Sequence, residues 1–312
     1  MIKIFNWVTK DTTINFMGAR KFTYILSIAM FVLSLVCIGV KGFNYGIDFS
    51  GGILIELKSD EIINLEKIRR QLENIDLEDV NLQTIGETGT EVMIRAQAKG
   101  LDEKEQMAAV NQIKAELGTD YEYRKVELVG PQVGDELKKD GIIASIIAIL
   151  AITAYIWVRF EWQFALGAML GLIHDTVITV GLLSLSGMDF SLTTVAAILT
   201  LAGYSVNDKV VTYDRIRENL RKYKKMPQYD LLNKSINDIF SRTILTGLTT
   251  MLASLALLVW GGDVLRSFSF TLVCGILIGT YSSIYVSAVF LNLFDLRKHP
   301  DEKTLNPFGN IN

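Results

Sequence analysis

The 312-residue sequence is poor in the residues that most enzymes use for covalent or metal chemistry, because it has only two cysteines and two histidines. Cys37 and Cys274 both lie in apolar runs, so no disulfide framework supports a domain outside those runs. The histidines, His174 and His299, both lie outside residues 41–140, so a Ser-His-Asp set is impossible in that segment. Walker and dinucleotide-binding glycine motifs are also lacking. We therefore expect no enzyme activity, ATP use, cofactor or metal.

The abundant residues are apolar, at 50% of the chain, which is typical of a membrane protein. A bilayer core about 30 Å thick needs roughly 20 apolar residues for one helix. The first apolar run is longer than that of a signal peptide and no A-x-A-like cleavage site follows it, so we interpret it as a retained helix. The sequence predicts six membrane spans, at Phe22–Val40, Ile142–Val158, Phe164–Leu185, Leu192–Tyr213, Thr243–Trp260 and Leu265–Phe294.

The charges predict the orientation, because lysine and arginine in short loops stay in the cytoplasm. Basic residues concentrate before the first span, between spans four and five, and after span six. The opposite side has the tight turns Ser186–Ser191 and Gly261–Val264 and the insertion 41–140. That insertion has 13 basic and 21 acidic residues, a net charge of −8 against +5 for the rest. Membrane topology explains this separation of acidic and basic residues more specifically than binding to anionic lipid or to a ribosome-side partner does. We expect no nucleic acid as a binding partner.

The predicted organisation has five parts, with both termini in the cytoplasm. A cytoplasmic N-terminus covers residues 1–21 and the first transmembrane helix 22–40. An exported domain covers 41–140. The membrane region 141–294 carries spans two to six, and residues 295–312 form a cytoplasmic tail.

The exported segment alternates between the periods of strand and helix. Apolar residues alternate over 53–57, recur at helical spacing over 65–75, and predict two further strands around the turn Glu87–Thr90. A second helix covers 107–117 and a strand covers Tyr121–Val129. This β-α-β-β-α-β order predicts a ferredoxin-like α+β domain. The last strand changes phase, which predicts a bulge or an edge position. Without catalytic or metal spacing, a binding or lever domain is the better interpretation.

Two glycine-containing motifs flank the exported domain. In FNYGIDFSGG, Gly46, Gly51 and Gly52 surround Asp48, which predicts a tight connection into the first strand with Asp48 accepting from an N–H of the turn. In VGPQVGDEL, the pattern predicts a hinge before a helix that begins at Asp135 and Glu136. The residues of that predicted hinge are Gly130, Pro131 and Gly134.

Polar residues inside the apolar runs are the candidate functional residues. Small residues at i+4 spacing, such as Gly167 and Gly171, predict close helix packing. His174 and Asp175 lie near the centre of span three, where an exposed charge costs roughly 2.5–3.5 kcal/mol, so they must face the bundle. They fit either a buried polar network or a functional site. Tyr281, Ser282 and Ser283 fit either helix contact or a polar lining.

Asp208 lies near the cytoplasmic end of span four, between Asn207 and Lys209. A lysine can extend its ammonium group to the membrane surface, but a short aspartate cannot, so we assign a function to Asp208. Arg242, just before span five, can reach a carboxylate on a neighbouring helix and lower its pKa.

The motifs together carry a family resemblance. The series FNYGIDFSGG, VGPQVG, LIHD, GYSVNDKVVTYDRIREN, SRT and GTYSSIYVSA is similar in order and spacing to that of the SecD/SecF protein-export family, over nearly the whole chain. GYSVNDKVVTYDRIREN is the most specific element and includes Gly203, Asn207, Asp214 and Arg215. The length and the single exported domain resemble the shorter of the family's two subunit types.

The resemblance implies half of a resistance-nodulation-division fold, with the other six-helix half supplied by SecD. It also implies a place in the bacterial inner membrane with residues 41–140 in the periplasm, where proton flow drives the exported domains to promote preprotein translocation. The implied partners are SecD, the SecYEG channel, YajC, a translocating preprotein and the lipid bilayer. The family's interior acid corresponds to Asp208 and its basic partner to Arg242, with His174 and Asp175 as weaker members of the proton-coupling set.

Two other functions remain open at this point. An intramembrane aspartyl protease would use Asp175 and Asp208 as a pair, but the expected G-x-G-D setting is lacking. A proton-coupled exporter of small molecules or lipids would use the same fold and carboxylate. It needs an apolar cleft, for which one small exported domain offers little room. Ligand efflux against preprotein import separates these functions.

Overall fold

The computed structural model describes residues 12–73, 75, 77–86, 88–98 and 103–297. Glu87 of the predicted turn and His299 of the predicted tail lie outside these residues. The helices are α1 Arg20–Lys41, α2 Ile47–Ser50, α3 Leu65–Leu72, α4 Glu103–Leu117, α5 Pro131–Arg159, α6 Trp162–Ser186, α7 Leu192–Lys222, α8 Gln228–Trp260 and α9 Gly262–Ser282. The strands are β1 Asn44–Tyr45, β2 Gly52–Lys58, β3 Leu77–Ile85, β4 Glu91–Ala98, β5 Glu122–Val129 and β6 Asp189–Phe190.

The segment between α2 and α5 forms an α+β domain with the predicted β-α-β-β-α-β order of elements. Its antiparallel sheet has the strand order β3-β4-β2-β5. Alternate residues of β2 point to one face, where the side chains of α3 and α4 cover them and exclude water. The buried core of this domain includes Ile53, Ile55, Leu57, Ile68 and Ile113.

Strand β5 is an edge strand, and its pairing with β2 shifts register between Glu56 and Leu57. Lys125 lies opposite Glu56, but Tyr123 lies opposite Leu57, so one residue of β5 is left over. The predicted bulge or edge position is therefore confirmed, and both features are present. Bulges of this kind disrupt the unpaired edge of a sheet.

The first glycine motif forms the short helix α2 and a turn into β2. Gly51 and Gly52 have φ angles of 69° and 113°, which side-chain-bearing residues rarely adopt. A Cβ atom on Gly52 would also lie 2.7 Å from the carbonyl oxygen of Ala96. Asp48 accepts from the backbone N–H of Leu192 at 2.9 Å. The predicted partner in its own turn is wrong, because Asp48 instead satisfies a free N–H at the start of α7.

The second motif forms the junction of β5 and the first turn of α5, where a hinge stays a prediction. Gly130 is the N-cap and Pro131 is the first helical residue, a position that suits proline. The helix thus begins four residues before the predicted start, and its first turn contains no acidic residue. Gly134 is buried against α2, and a Cβ there would lie 3.1 Å from the nitrogen of Gly51. Gly130 alone therefore separates β5 from α5.

Five stretches are long and apolar enough to cross a membrane. They are Met17–Lys41, Gln132–Arg159, Trp162–Ser186, Gln228–Trp260 and Leu265–Leu293. The fourth predicted span lies within α7, which is not among them, since Asn207, Asp208 and Lys209 lower its mean hydropathy. A sixth span stays a prediction.

The membrane helices pack closely around α6 where small residues leave room. A Cβ on Gly167 would lie 2.9 Å from the hydroxyl oxygen of Tyr213, and one on Gly181 would overlap Ser34 of α1. A Cβ on Gly275 would overlap Leu201 of α7. The packing role predicted for Gly167 and Gly275 is thus confirmed, and Gly181 has the same role, because each leaves room for a neighbouring helix to approach.

The α+β domain contacts the membrane helices through the turn between α6 and α7. Strand β1 pairs in parallel with β6, with Asn44 opposite Asp189 and Tyr45 opposite Phe190. Arg95 of β4 forms an ion pair with Asp189, and Asn44 donates to the same carboxylate at 2.7 Å. A strand pair this short is marginal alone, so these side chains stabilise the contact.

Candidate functional site

The centre of the bundle contains a buried ion pair between α6 and α7. Asp175 and Lys209 are both fully buried, and the Lys209 Nζ lies 2.8 Å from Asp175 Oδ2. The same oxygen accepts from the hydroxyls of Ser205 at 2.5 Å and Ser282 at 2.7 Å. Three helices, α6, α7 and α9, therefore meet at one carboxylate oxygen.

Lys209 has a partner for each of its three N–H bonds. It donates to Asp175, to Ser205 and, at 3.0 Å, to Ser282. Its stem passes over Gly171, where a Cβ would overlap the Lys209 Cε. Lys209 does not extend toward the membrane surface, because the glycine leaves room for an inward path to a carboxylate. Such full hydrogen bonding is what a buried charge requires.

His174 completes the other side of Asp175. Its Nδ1 lies 3.1 Å from Asp175 Oδ1, and its ring stacks on Tyr281 with centroids 6.3 Å apart. The His174 Nε2 is buried without a hydrogen-bond partner in the described part of the chain. The structure therefore places His174, Asp175 and Lys209 in one cluster, held from the side by the aromatic ring of α9.

Asp208 has a different environment from Asp175. Its Oδ1 accepts from the hydroxyl of Thr243 on α8 at 2.9 Å. Its Oδ2 is buried and has no hydrogen-bond partner among the described residues. Ser283 is the other hydroxyl beside this carboxylate. A buried carboxylate oxygen without a donor is costly when charged, and that cost falls if the oxygen takes a proton.

Arg242 is exposed on α8, one residue before Thr243. Within the described ranges no ion pair joins Arg242 to Asp208, and Thr243 makes the direct contact instead. The predicted reach of Arg242 to a carboxylate is thus not made in this conformation. Its charge still acts on Asp208 through space.

A π-helical turn, Ser283–Ala288, follows α9 at the level of both acids. Ser282, the last residue of α9, contacts Asp175, whereas Ser283 lies beside Asp208. Single π turns widen a helix locally and are frequent at functional sites. Here the turn directs two consecutive serines toward two different carboxylates.

The remaining motif residues of α7 lie away from this cluster. Gly203 and Asn207 are exposed on the outer face of the helix. Asp214 is exposed and lies 3.4 Å from Arg159. Arg215 pairs with Glu218 at 2.7 Å and with Asp238 at 2.8 Å. The carboxylate of Glu218, helped by that of Asp238, holds the pKa of Arg215 above its usual range.

The two interior acids do not form a protease-like dyad. Lys209 donates a hydrogen bond to Asp175, and Thr243 donates one to Asp208, so each acid has its own partners. Sequence reasoning missed the roles of Lys209, Ser205 and Ser282. The available signal was spacing, since Ser205 and Lys209 are four residues apart and so share one helix face.

Family comparisons agree with the motif series. Residues 109–297 match the family described as protein export membrane protein SecD/SecF, C-terminal, and residues 38–61 match the SecD/SecF GG motif. The chain is 47% identical over 288 residues to protein translocase subunit SecF of Rickettsia felis, covering 91% of this chain and 92% of that protein. It is 45% identical over 296 residues to the SecF subunit of Rickettsia prowazekii, covering 94% of each chain.

Solved structures show the same similarity. The crystal structure of SecDF, a translocon-associated membrane protein from Thermus thermophilus, superposes with a TM-score of 0.79 at 35% identity. The match covers 91% of this chain, which spans only 39% of the length of that SecDF chain. A SecDF structure in a super-membrane-facing form gives a TM-score of 0.66, covering 90% of this chain and 39% of the other.

Proposed function

This chain belongs to the SecD/SecF family of protein export membrane proteins, and from that membership we propose that it couples proton flow to preprotein translocation. In this proposal the chain works with SecD in the bacterial inner membrane. Proton flow moves the exported domain, which promotes the passage and release of preprotein outside the cytoplasm. The chain is a protein translocase subunit rather than an enzyme.

We extend the proposal to the topology. Helix α7 crosses the membrane as the fourth span in chain order, which brings the total to six. Its Lys209 is neutralised by Asp175, so the pair exposes no charge to lipid. Both termini are then cytoplasmic, and residues 41–140 form a ferredoxin-like domain in the periplasm. The strand order β3-β4-β2-β5 supports the ferredoxin-like plan, and the basic residues in the short segment between α7 and α8 support this orientation.

The observation that carries the mechanism is the contrast between the two interior acids. Asp175 has a fixed cation and two hydroxyl donors, so it stays ionised without exchanging a proton. Asp208 accepts from Thr243 through Oδ1 and has Ser283 beside it, but its buried Oδ2 has no hydrogen-bond partner among the described residues, so it is the group that gains from taking a proton. Environments that separate two carboxylates in this way assign them different roles. Asp208 is therefore the proton-exchanging residue of the proposal.

Arg242 controls the release of that proton. When α8 moves so that the guanidinium approaches Asp208, the charged carboxylate is favoured and the proton leaves. When Arg242 is withdrawn to the surface, as here, the protonated acid is favoured. One proton crossing roughly 150 mV releases about 3.5 kcal/mol, enough to shift a two-state equilibrium several hundred-fold.

The proposed binding partners follow from the same family membership. SecD supplies the second half of the bundle, which is consistent with the 39% of the SecDF chain that this chain spans. The outer faces of α5 and α8 expose large apolar residues such as Ile147, Leu150 and Leu252, which lipid or SecD helices would cover. SecYEG, YajC and a translocating preprotein complete the proposed assembly.

A small-molecule exporter is the weaker proposal. The cavity between the sheet and the α6–α7 turn has a volume of about 240 Å³ and is lined by Asp48, Glu56, Arg95, Lys125 and Glu127, among others. Drug-sized ligands bind in larger and mostly apolar cavities. A charged space of this size does not favour such a ligand.

Preprotein import into inverted membrane vesicles tests the function. Vesicles carry this chain with SecD, as wild type or as Asp208→Asn, with saturating ATP and with or without an uncoupler. We expect the uncoupler to slow late import in the wild type, and the variant to import at that slow rate without it. Asparagine keeps the volume of the side chain but cannot exchange a proton.

Asp214→Asn is the matched control, because it removes an exposed acid from the same helix. It should respond to the uncoupler like the wild type. Equal responses of Asp208→Asn and wild type would remove Asp208 from the coupling mechanism. A ligand efflux that depends on Asp208, without any effect on import, would support the exporter instead.

A further inference from the structure

Four cationic side chains converge on a second cavity, far along α7 from the interior acids. This cavity has a volume of about 570 Å³ and lies where the end of α7 meets the α5–α6 connection. Arg217, Arg221, Lys224 and Arg297 line it, with Glu161 as the one acid. The cavity wall therefore carries an excess of three positive charges.

Two of these cationic side chains are held by hydrogen bonds, and the other two have no side-chain partner among the described residues. Arg217 donates to the carbonyl of Arg159 and lies over the Phe160 ring, while Arg297 donates to the carbonyl of Tyr223. Arg221 and Lys224 are exposed and make no ion pair or hydrogen bond through their side chains within the described residues. Two fixed and two unpaired cations around one space favour an anion as occupant.

The walls of the cavity are also partly apolar. Leu220 and Leu296 line it beside the cations. Trp162, next to Glu161, is 52% exposed, and Trp157 at the end of α5 is 65% exposed. Exposed tryptophans near helix ends mark the depth of lipid headgroups. The cavity therefore lies at the level where a lipid phosphate meets its acyl chains.

We propose that this cavity binds the phosphate of an anionic phospholipid in the cytoplasmic leaflet. Arg221 and Lys224 bind the phosphate oxygens, Arg217 and Arg297 supply further positive charge, and the acyl chains follow the apolar end of α5. Basic pockets between membrane helices on the cytoplasmic side recognise such headgroups. Membrane topology by itself explains why basic residues lie on the cytoplasmic side. It does not explain why four of them surround one cavity with a partly apolar wall. The choice of leaflet rests on the proposed orientation of the chain, but the binding does not depend on proton coupling.

Native mass spectrometry of the detergent-purified full chain measures the binding. Equal amounts of phosphatidylglycerol and phosphatidylcholine are added, and the retained lipids are counted. The test variant is Arg221→Gln with Lys224→Gln. Arg69→Gln with Arg70→Gln, on the α+β domain, removes the same charge from exposed positions elsewhere. At about fivefold for each cation, the preference for phosphatidylglycerol should fall about thirtyfold in the test variant alone.

Two competitors separate the sources of phosphate. Inorganic phosphate and a short RNA are added at the concentration of the lipid, and neither should displace phosphatidylglycerol. Displacement by phosphate would overturn the lipid assignment in favour of a general anion site. Displacement by RNA would favour a ribosome-side partner. Equal loss of preference in both variants, or no preference in the wild type, would also overturn the proposal.

Discussion

Asp208 and Lys209 are neighbours in the chain but face different helices. Successive residues on a helix point about 100° apart, so Asp208 turns toward α8 and Lys209 toward α6. The consequence is a division of charge. Lys209 pairs with Asp175, so it neutralises an acid 34 residues away rather than Asp208 beside it. Asp208 is therefore left to depend on α8.

Removing only one member of the buried pair should be costly. Lys209→Met leaves Asp175 as an uncompensated buried charge, so we expect a loss of about 3–5 kcal/mol in stability. The double variant with Asp175→Asn removes both charges and should recover most of that loss. Thermal unfolding of the purified protein in detergent compares the two variants with the wild type.

A matched surface pair controls for lysine loss in general. Lys234 pairs with Asp238 at 3.0 Å on an exposed face of α8, and Lys234→Met should change stability by less than about 1 kcal/mol. If Lys209→Met and Lys234→Met were equally mild, the interior pair would not stabilise the bundle as described.

At the residue scale, the sequence predicted which side chains face the bundle but not which ones meet. The cost of a charge in lipid correctly turned His174 and Asp175 inward. It left Lys209 unassigned, because a long side chain can reach either water or a carboxylate, and only the packing around Gly171 decides between them. Partners such as Ser282 are 107 residues from Asp175, a separation that no local pattern encodes.

At the element scale, helix contacts depend on glycines with close neighbours on another helix. Gly181→Ala would overlap Ser34, so we expect a loss of about 1–3 kcal/mol from overpacking of α1 against α6. Gly203→Ala is the control, because no atom lies within 4 Å of its Cβ position. Alanine there should be neutral or stabilising by up to about 1 kcal/mol. Melting temperatures in detergent measure both, and an equal effect would contradict the packing argument.

Element types were predictable where the apolar period was strong. The strands and helices of the α+β domain follow their predicted order. The phase change between Tyr121/Tyr123 and Val126/Leu128 correctly marked the bulge in β5. The start of α5 was misplaced because Pro131 and Gly134 indicate a break to local rules. Contact of Gly134 with α2, a tertiary effect, keeps that turn helical.

At the scale of the whole molecule, Arg95 connects the α+β domain to the membrane helices through Asp189. Arg95→Gln removes the ion pair but keeps a polar side chain at this position. We expect faster hydrogen exchange at the β1–β6 contact, including the Gly46 amide that donates to Phe190. Hydrogen exchange with mass spectrometry follows both segments.

Arg124→Gln is the control for that experiment, since its partner Glu91, at 2.8 Å, lies in the same domain. Exchange at β1 and β6 should stay as in the wild type. An unchanged rate in Arg95→Gln as well would show that the strand pair and its aromatic neighbours hold the domain without the ion pair.

The same strand pair sets an order of events during synthesis. Asn44 waits for Asp189, which a ribosome adds 145 residues later, roughly 7 to 30 seconds at about 5–20 residues per second. The last strand of the α+β domain ends at Val129, 60 residues before Asp189, so the domain is complete for only the last roughly 3 to 12 seconds of that delay. Its own buried core, from Ile53 to Leu117, allows it to fold alone in that time. The domain can therefore fold as an independent unit before the turn after α6, which contains Asp189, has been synthesised.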